Sequence, residues 1–149
     1  FCFMVALFQF LSGAIVAGTK AGYHFSDFPM MNGELIPTGV WVSEKSITEN
    51  LFENIATVQF IHRLIAYGLT LMIVLLMIKS KKEDLNTLQR LAIKSLHFTL
   101  ALQLTLGIST LMLHVPVYLA AAHQFGGTLL VLNLLFLKFT LDYDTAKTI

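Results

Sequence analysis

Three long apolar runs, at 58–78, 91–113 and 115–137, limit what this chain can become. Each is long enough to cross a bilayer as a helix, which takes about 20 residues at 1.5 Å per residue. Inside hydrocarbon every backbone polar group must find its partner within the segment, so such runs lead to a helical bundle. A fourth apolar run, 1–17, is broken only by Gln9 and Ser12. It is slightly short for a span and starts on Phe1 rather than Met, with no basic stretch ahead of it. The expectation is a span whose beginning lies upstream, not a signal peptide. Gly13, Ala14, Ala17 and Gly18 give it a small-residue face that a helix or flat ligand can approach closely. Composition agrees: 56% hydrophobic and 13% charged over 149 residues, with a mean hydropathy of +0.72, far from the usual soluble domain.

The segment 18–57 differs in kind. Gly22, Pro29, Gly33, Pro37 and Gly39 punctuate it, and Asp27, Glu34, Glu44, Glu49 and Glu53 outweigh Lys20 and Lys45. Irregular polar backbone belongs at the membrane surface, where Tyr23, Phe25, Phe28 and Trp41 suit the interface. Ser46 followed by Glu49 reads as a capping box for a short surface helix. The 79–90 connection holds Lys79, Lys81, Lys82 and Arg90, which the positive-inside rule places in the cytoplasm, leaving 18–57 outside. Lys138 and Lys147 fit an inside C-terminus, diluted by Asp142 and Asp144. The predicted architecture is all-α and integral to the membrane: one domain, 1–149, forming a four-transmembrane-helix bundle with one long external loop. A net charge of +1 without a basic stripe gives no reason to expect nucleic acid. The single cysteine, Cys2, excludes an internal disulfide and a thiolate metal site.

Chemistry concentrates at two histidines. His62 lies a few residues into the second span and His123 a few residues into the fourth, roughly 6–8 Å and 10 Å below their entries at the helical rise. The two helices run parallel, so the imidazoles sit at similar depth. Facing helices in a bundle commonly hold a cofactor between them. A heme with both axial positions filled suits electron transfer better than oxygen chemistry, and ionisable groups within a span are costly enough to suggest function. The alternative is that each histidine bonds a neighbouring helix. Arg63 can pair with a heme propionate through its forked donors, or snorkel to the interface. Gln59 and Gln124 suit either hydrogen bonds supporting a bound group or helix-to-helix contacts. Gly107, Gly126 and Gly127 permit close approach of a porphyrin, although glycine is common in membrane helices. His24, His97 and His114 are expected to be structural or solvated.

Val16-Ala-Gly-Thr-Lys-Ala-Gly22, Phe28-Pro-Met-Met-Asn-Gly33, Glu53-Asn54, Val58-Gln-Phe-Ile-His-Arg63, Leu106-Gly-Ile-Ser-Thr-Leu111 and Val115-Pro116 leading to His123-Gln124 together resemble the C-terminal half of the heme A synthase family. The resemblance runs from about Val5 to about Leu137. It implies one half of an eight-helix protein that oxidises the heme O methyl group to the formyl group of heme A for terminal oxidases. In the family's catalytic half a Glu stands one turn before the histidine; here Gln59 holds that place, and an amide does not titrate. The resemblance therefore implies the cofactor half, not catalytic alone, with heme b on His62 and His123, and with Arg63, Gln59, Gln124 and Gly127 around it. Implied partners are the catalytic half or a second copy, membrane lipid, heme O synthase and terminal oxidase, in a bacterial plasma membrane or mitochondrial inner membrane. A free-standing transmembrane cytochrome and a heme-free scaffold are the other readings of the same residues.

Overall fold

The computed structural model describes the backbone of residues 1–147 and the side chains of residues 1–143, so the side chains of Asp144 and Lys147 lie outside the described residues. The described chain is helical and its connections irregular, with a single isolated bridge between Met31 and Glu34. Five α-helices follow in order: α1 (Cys2–Gly18), α2 (Ile47–Phe52), α3 (Ile55–Ser80), α4 (Thr87–Met112) and α5 (Val117–Lys147), with one 3₁₀ turn at Ala21–Tyr23.

Helices α3, α4 and α5 are long and apolar enough to cross a membrane. Helix α1 is apolar but has 17 residues, about 26 Å at the helical rise against roughly 30 Å of hydrocarbon. Outward faces carry apolar residues such as Leu71, 59% exposed, and Phe98, 68% exposed, which lipid rather than water accommodates. This is an integral membrane protein.

Polar capping extends the helices beyond their apolar runs. Helix α3 starts at Ile55 instead of 58 because the Asn54 side chain accepts the Ala56 N–H. Helix α4 starts at Thr87 instead of 91. Asn86 accepts from Gln89 N, and Gln89 in turn accepts from Asn86 N, which leaves a much shorter turn than the 79–90 connection expected. The Ser46–Glu49 box is present at α2. Helix α5 continues past 137 to Lys147, with Lys138 and Asp142 paired one turn apart. Between α4 and α5 the chain reverses through His114 and Val115, both with left-handed φ, near +59°.

The bundle is packed at one end only. Leu69, Ile73 and Met77 of α3 meet Ala92, Ile93, Leu96 and Leu100 of α4 and Leu130, Leu134 and Leu137 of α5, with Ala6 of α1 among them. Ser95, Asn133 and Thr99 join α4 to α5 by hydrogen bonds of 2.7 and 3.2 Å. Towards the other end, where the long connection lies, the helices separate around a cavity.

That connection is ordered by side chains bonding to its backbone. Asp27 accepts from the amides of Gly33 and Asn32 at 2.9 and 2.8 Å, and these two bonds hold its carboxyl below the usual carboxylate range. Asn50 is fully buried; it accepts from Val42 N and donates to Val42 O, while Asn54 donates to Gly39 O and to Asn50 Oδ1. Thr57 donates to Val40 O. Replacing Asn50 with alanine leaves Val42 N unpaired and Val42 O with the Lys45 N–H alone, a loss of about 1–3 kcal/mol. Hydrogen exchange is expected to accelerate across residues 39–46 in Asn50→Ala, with 87–112 unchanged.

Candidate functional site

A cavity of about 460 Å³ opens between α1, α3, α4 and α5 beneath the long connection, within the size range of small-molecule and cofactor sites. Its wall is largely apolar, and both His62 and His123 line it. With helix starts at Ile55 and Val117, the histidines lie roughly 10 and 9 Å along their helices. The late starts inferred from hydropathy had placed His62 too shallow; the observed depths match more closely.

His62 is held by α1. Its Nδ1 lies 2.8 Å from Ser12 Oγ, and both ring nitrogens lie 3.2 Å from Gln9 Nε2. Gly13 is what lets the ring in, since a Cβ there would stand 3.3 Å from His62 Cε1. His123 packs against α4, where a Cβ on Gly107 would be 2.7 Å from its Cε1. Gly126 and Gly127 make room for the Gln103 amide, and Phe10 also abuts Gly127. Gly107, Gly126 and Gly127 all accommodate protein side chains, and Gly107 and Gly127 also lie on the cavity wall.

Arg63 is 8% exposed and does not snorkel. Its Nη1 donates to Met30 O at 2.7 Å and Pro29 O at 3.4 Å, and its Nη2 to Phe25 O at 3.1 Å. Gln59, one turn earlier, donates to Phe25 O at 2.9 Å. These two residues tie the 25–30 segment over the cavity, and Phe28 of that segment reaches both the cavity and the Tyr67 ring. Gln124 is exposed and lines the cavity from α5. His24, His97 and His114 are exposed and lie off it; His97 Nδ1 bonds Ile93 O in its own helix at 2.7 Å.

Among the described residues, the buried side-chain polar atoms with no partner are Gln9 Oε1, Gln59 Oε1, Arg63 Nε, Gln103 Oε1 and His123 Nδ1. All five residues line this one cavity. Buried polar groups are normally paired, so their convergence marks a place built to receive polar contacts. No group of three or more His, Cys, Asp or Glu that could hold a metal occurs among the described residues. A pair of histidines suits a metal whose other positions come from a macrocycle. Two histidines on one cavity, an unpartnered imidazole nitrogen and a glycine that gives its ring space all fit heme. Sequence reading missed Gln9, Ser12 and Gln103. Their only signal was polarity on otherwise apolar faces of α1 and α4.

An all-helical membrane bundle with a histidine-lined cavity under a tied-down loop is the class of protein defined here. The family model described as cytochrome oxidase assembly protein, COX15-CtaA, matches residues 1–135, and the chain belongs to that family. Curated relatives include a heme A synthase of Nitrosospira multiformis, 48% identical over 80% of this chain and 33% of its own length. Another, from Nitrosomonas eutropha, is 47% identical over the same shares. The Arabidopsis thaliana protein named heme A synthase COX15 is 40% identical over 88% of this chain and 28% of its own. The chain thus spans about a third of the length of these relatives. No solved structure matches it.

Arg63→Met removes three donated bonds: the Pro29 and Met30 carbonyls lose their side-chain donor, and Phe25 O keeps only Gln59. A loss of about 2–4 kcal/mol follows for bonds from a charged donor. The expected readout is faster hydrogen exchange and earlier proteolysis within 25–31, with the packed end of the bundle retained.

Proposed function

We propose that the chain is the cofactor-binding, C-terminal half of a heme A synthase and that its cavity holds one heme b between His62 and His123. The observation that carries this reading is the convergence of both histidines and five unpartnered polar atoms on one cavity. Membership of the family and the names of the relatives support the choice of heme over another planar ligand. When bound, the heme supplies a one-electron redox centre, and two protein ligands on its iron favour electron transfer.

The chain's own groups divide the remaining work. His62 and His123 offer ring nitrogens from opposite walls. Arg63 and Gln59 close the cavity by holding the 25–30 carbonyls, which excludes water from above the site. Gln124 and Gly127 contribute the α5 wall. Gln59 has no proton to exchange near neutral pH, so general acid–base work on a heme O methyl group belongs to another part of a longer protein, or to a second copy. In this reading the chain is half of an eight-helix, multi-pass protein of a bacterial plasma membrane or mitochondrial inner membrane. Its long loop lies on the outer side, and it works alongside heme O synthase and terminal oxidase.

The test is a reduced-minus-oxidised spectrum of the detergent-purified protein with pyridine hemochrome analysis. A low-spin b-type spectrum at about one heme per chain is expected from two axial histidines, and a protein that stays colourless after heme addition overturns the proposal. His62→Ala and His123→Ala are each expected to abolish the bis-histidine spectrum; its survival in either variant removes that residue as a ligand.

Gly107→Ala places a methyl group within 2.7 Å of the His123 ring and must displace it. Heme content is expected to fall about tenfold or more, the range seen when metal ligands are misoriented. Gly68→Ala, where nothing lies within 4 Å, serves as the neutral control.

A further inference from the structure

The contacts of His62 identify which of its nitrogens is bare. The Ser12 hydroxyl has a single proton, and it donates that proton to Gln9 O at 2.8 Å, one turn back in α1. Ser12 Oγ is also 2.8 Å from His62 Nδ1, and both contacts are hydrogen bonds only when Oγ accepts from the ring, an assignment that puts the ring proton on Nδ1. In a neutral imidazole the other nitrogen, Nε2, then has the free lone pair. Gln9 Nε2 lies 3.2 Å from both ring nitrogens, and with Nδ1 protonated its amide N–H finds an acceptor only at Nε2. The result is a closed circuit in one turn of α1: Gln9 amide to His62 Nε2, His62 Nδ1 to Ser12 Oγ, and Ser12 Oγ to Gln9 carbonyl.

We propose that Ser12 is the positioning residue that fixes the Nδ1–H tautomer of His62, presenting Nε2 as the ligand atom, while Gln9 occupies that lone pair until a metal replaces it. The inference rests on the heme reading above for its consequence, though not for the tautomer itself. A metal-bound histidine commonly donates its second N–H to an acceptor, which sets ring orientation and raises ligand basicity. Ser12 supplies that acceptor from a helix that carries no histidine. Coordination would replace the Gln9–Nε2 hydrogen bond with a bond from Nε2 to the metal and would require no proton transfer, because Nε2 carries none in this tautomer. The displaced amide stays at the cavity wall.

Two measurements test this. In the heme-free protein, the ¹⁵N imidazole resonances of His62, assigned by their loss in His62→Gln, should report a protonated Nδ1 and a bare Nε2. The opposite tautomer overturns the proposal whether or not the protein binds heme. In the heme-loaded protein, Ser12→Ala should weaken heme affinity about 10- to 100-fold and raise the midpoint potential, because a less basic imidazole stabilises ferric iron less. Ser12→Thr, whose hydroxyl can make the same bond to the preceding turn, should restore both. Unchanged affinity and potential in Ser12→Ala overturn the positioning role while leaving His62 a ligand. A wild-type protein without heme overturns the function proposed above and leaves the tautomer to the nitrogen spectrum.

Discussion

The structure depends on a guanidinium taken out of water. Arg63 is buried at the end of the bundle that carries the long connection, and its donors are directed at backbone carbonyls of residues 25–30. A buried charge without partners is prohibitive, and carbonyl dipoles are a partner that brings no second charge into the apolar interior. The arrangement works in both directions. The loop carbonyls neutralise the desolvation of Arg63, and Arg63 supplies the pairing that irregular backbone needs above a membrane domain. Gln59 shares the Phe25 carbonyl one turn earlier, so α3 presents a two-residue clasp to the loop and His62 to the cavity beside it.

With its cover fixed by side chains, the bundle can remain open beneath it. At the opposite end, leucines and isoleucines of α3, α4 and α5 fill the space between helices. Around the cavity, small residues and amides replace them: Gly13, Gly107, Gly126 and Gly127 each face a histidine or a glutamine. Glycine there does not leave holes; it allows polar rings and amides to lie close to neighbouring backbones. The cost is buried side-chain polar atoms without partners, and among the described residues they all belong to residues lining this cavity. The bundle is thus packed at one end and carries unmet polar groups at the other.

The span-length apolar runs were legible because hydrophobic length survives without tertiary context, and the histidine pair because polar groups within spans are few. Helix starts were not, because Asn54 and Asn86 cap their helices ahead of the apolar runs, and capping is a polar signal that hydropathy treats as loop. The snorkelling reading of Arg63 looked outward from α3, whereas the structure sends both Nη donors to carbonyls more than thirty residues earlier in the chain and leaves Nε at the cavity. Gln9, Ser12 and Gln103 were opaque for the same reason. Each is an ordinary polar interruption until α1 and α4 are known to face the histidines.

The two histidines are not equivalent, and the difference bears on how such a site can be filled. His62 is engaged at both nitrogens by a serine and a glutamine of α1, whereas His123 leaves Nδ1 buried without a partner. A ring held on two sides keeps its orientation in the absence of ligand. The His123 ring, close against Gly107, has Nδ1 without a hydrogen bond and gains from a new one. Preorganisation on one wall and an unsatisfied group on the other lower different costs of binding. The first reduces the ordering that must accompany it, and the second offsets the desolvation of a nitrogen that has no partner within the protein.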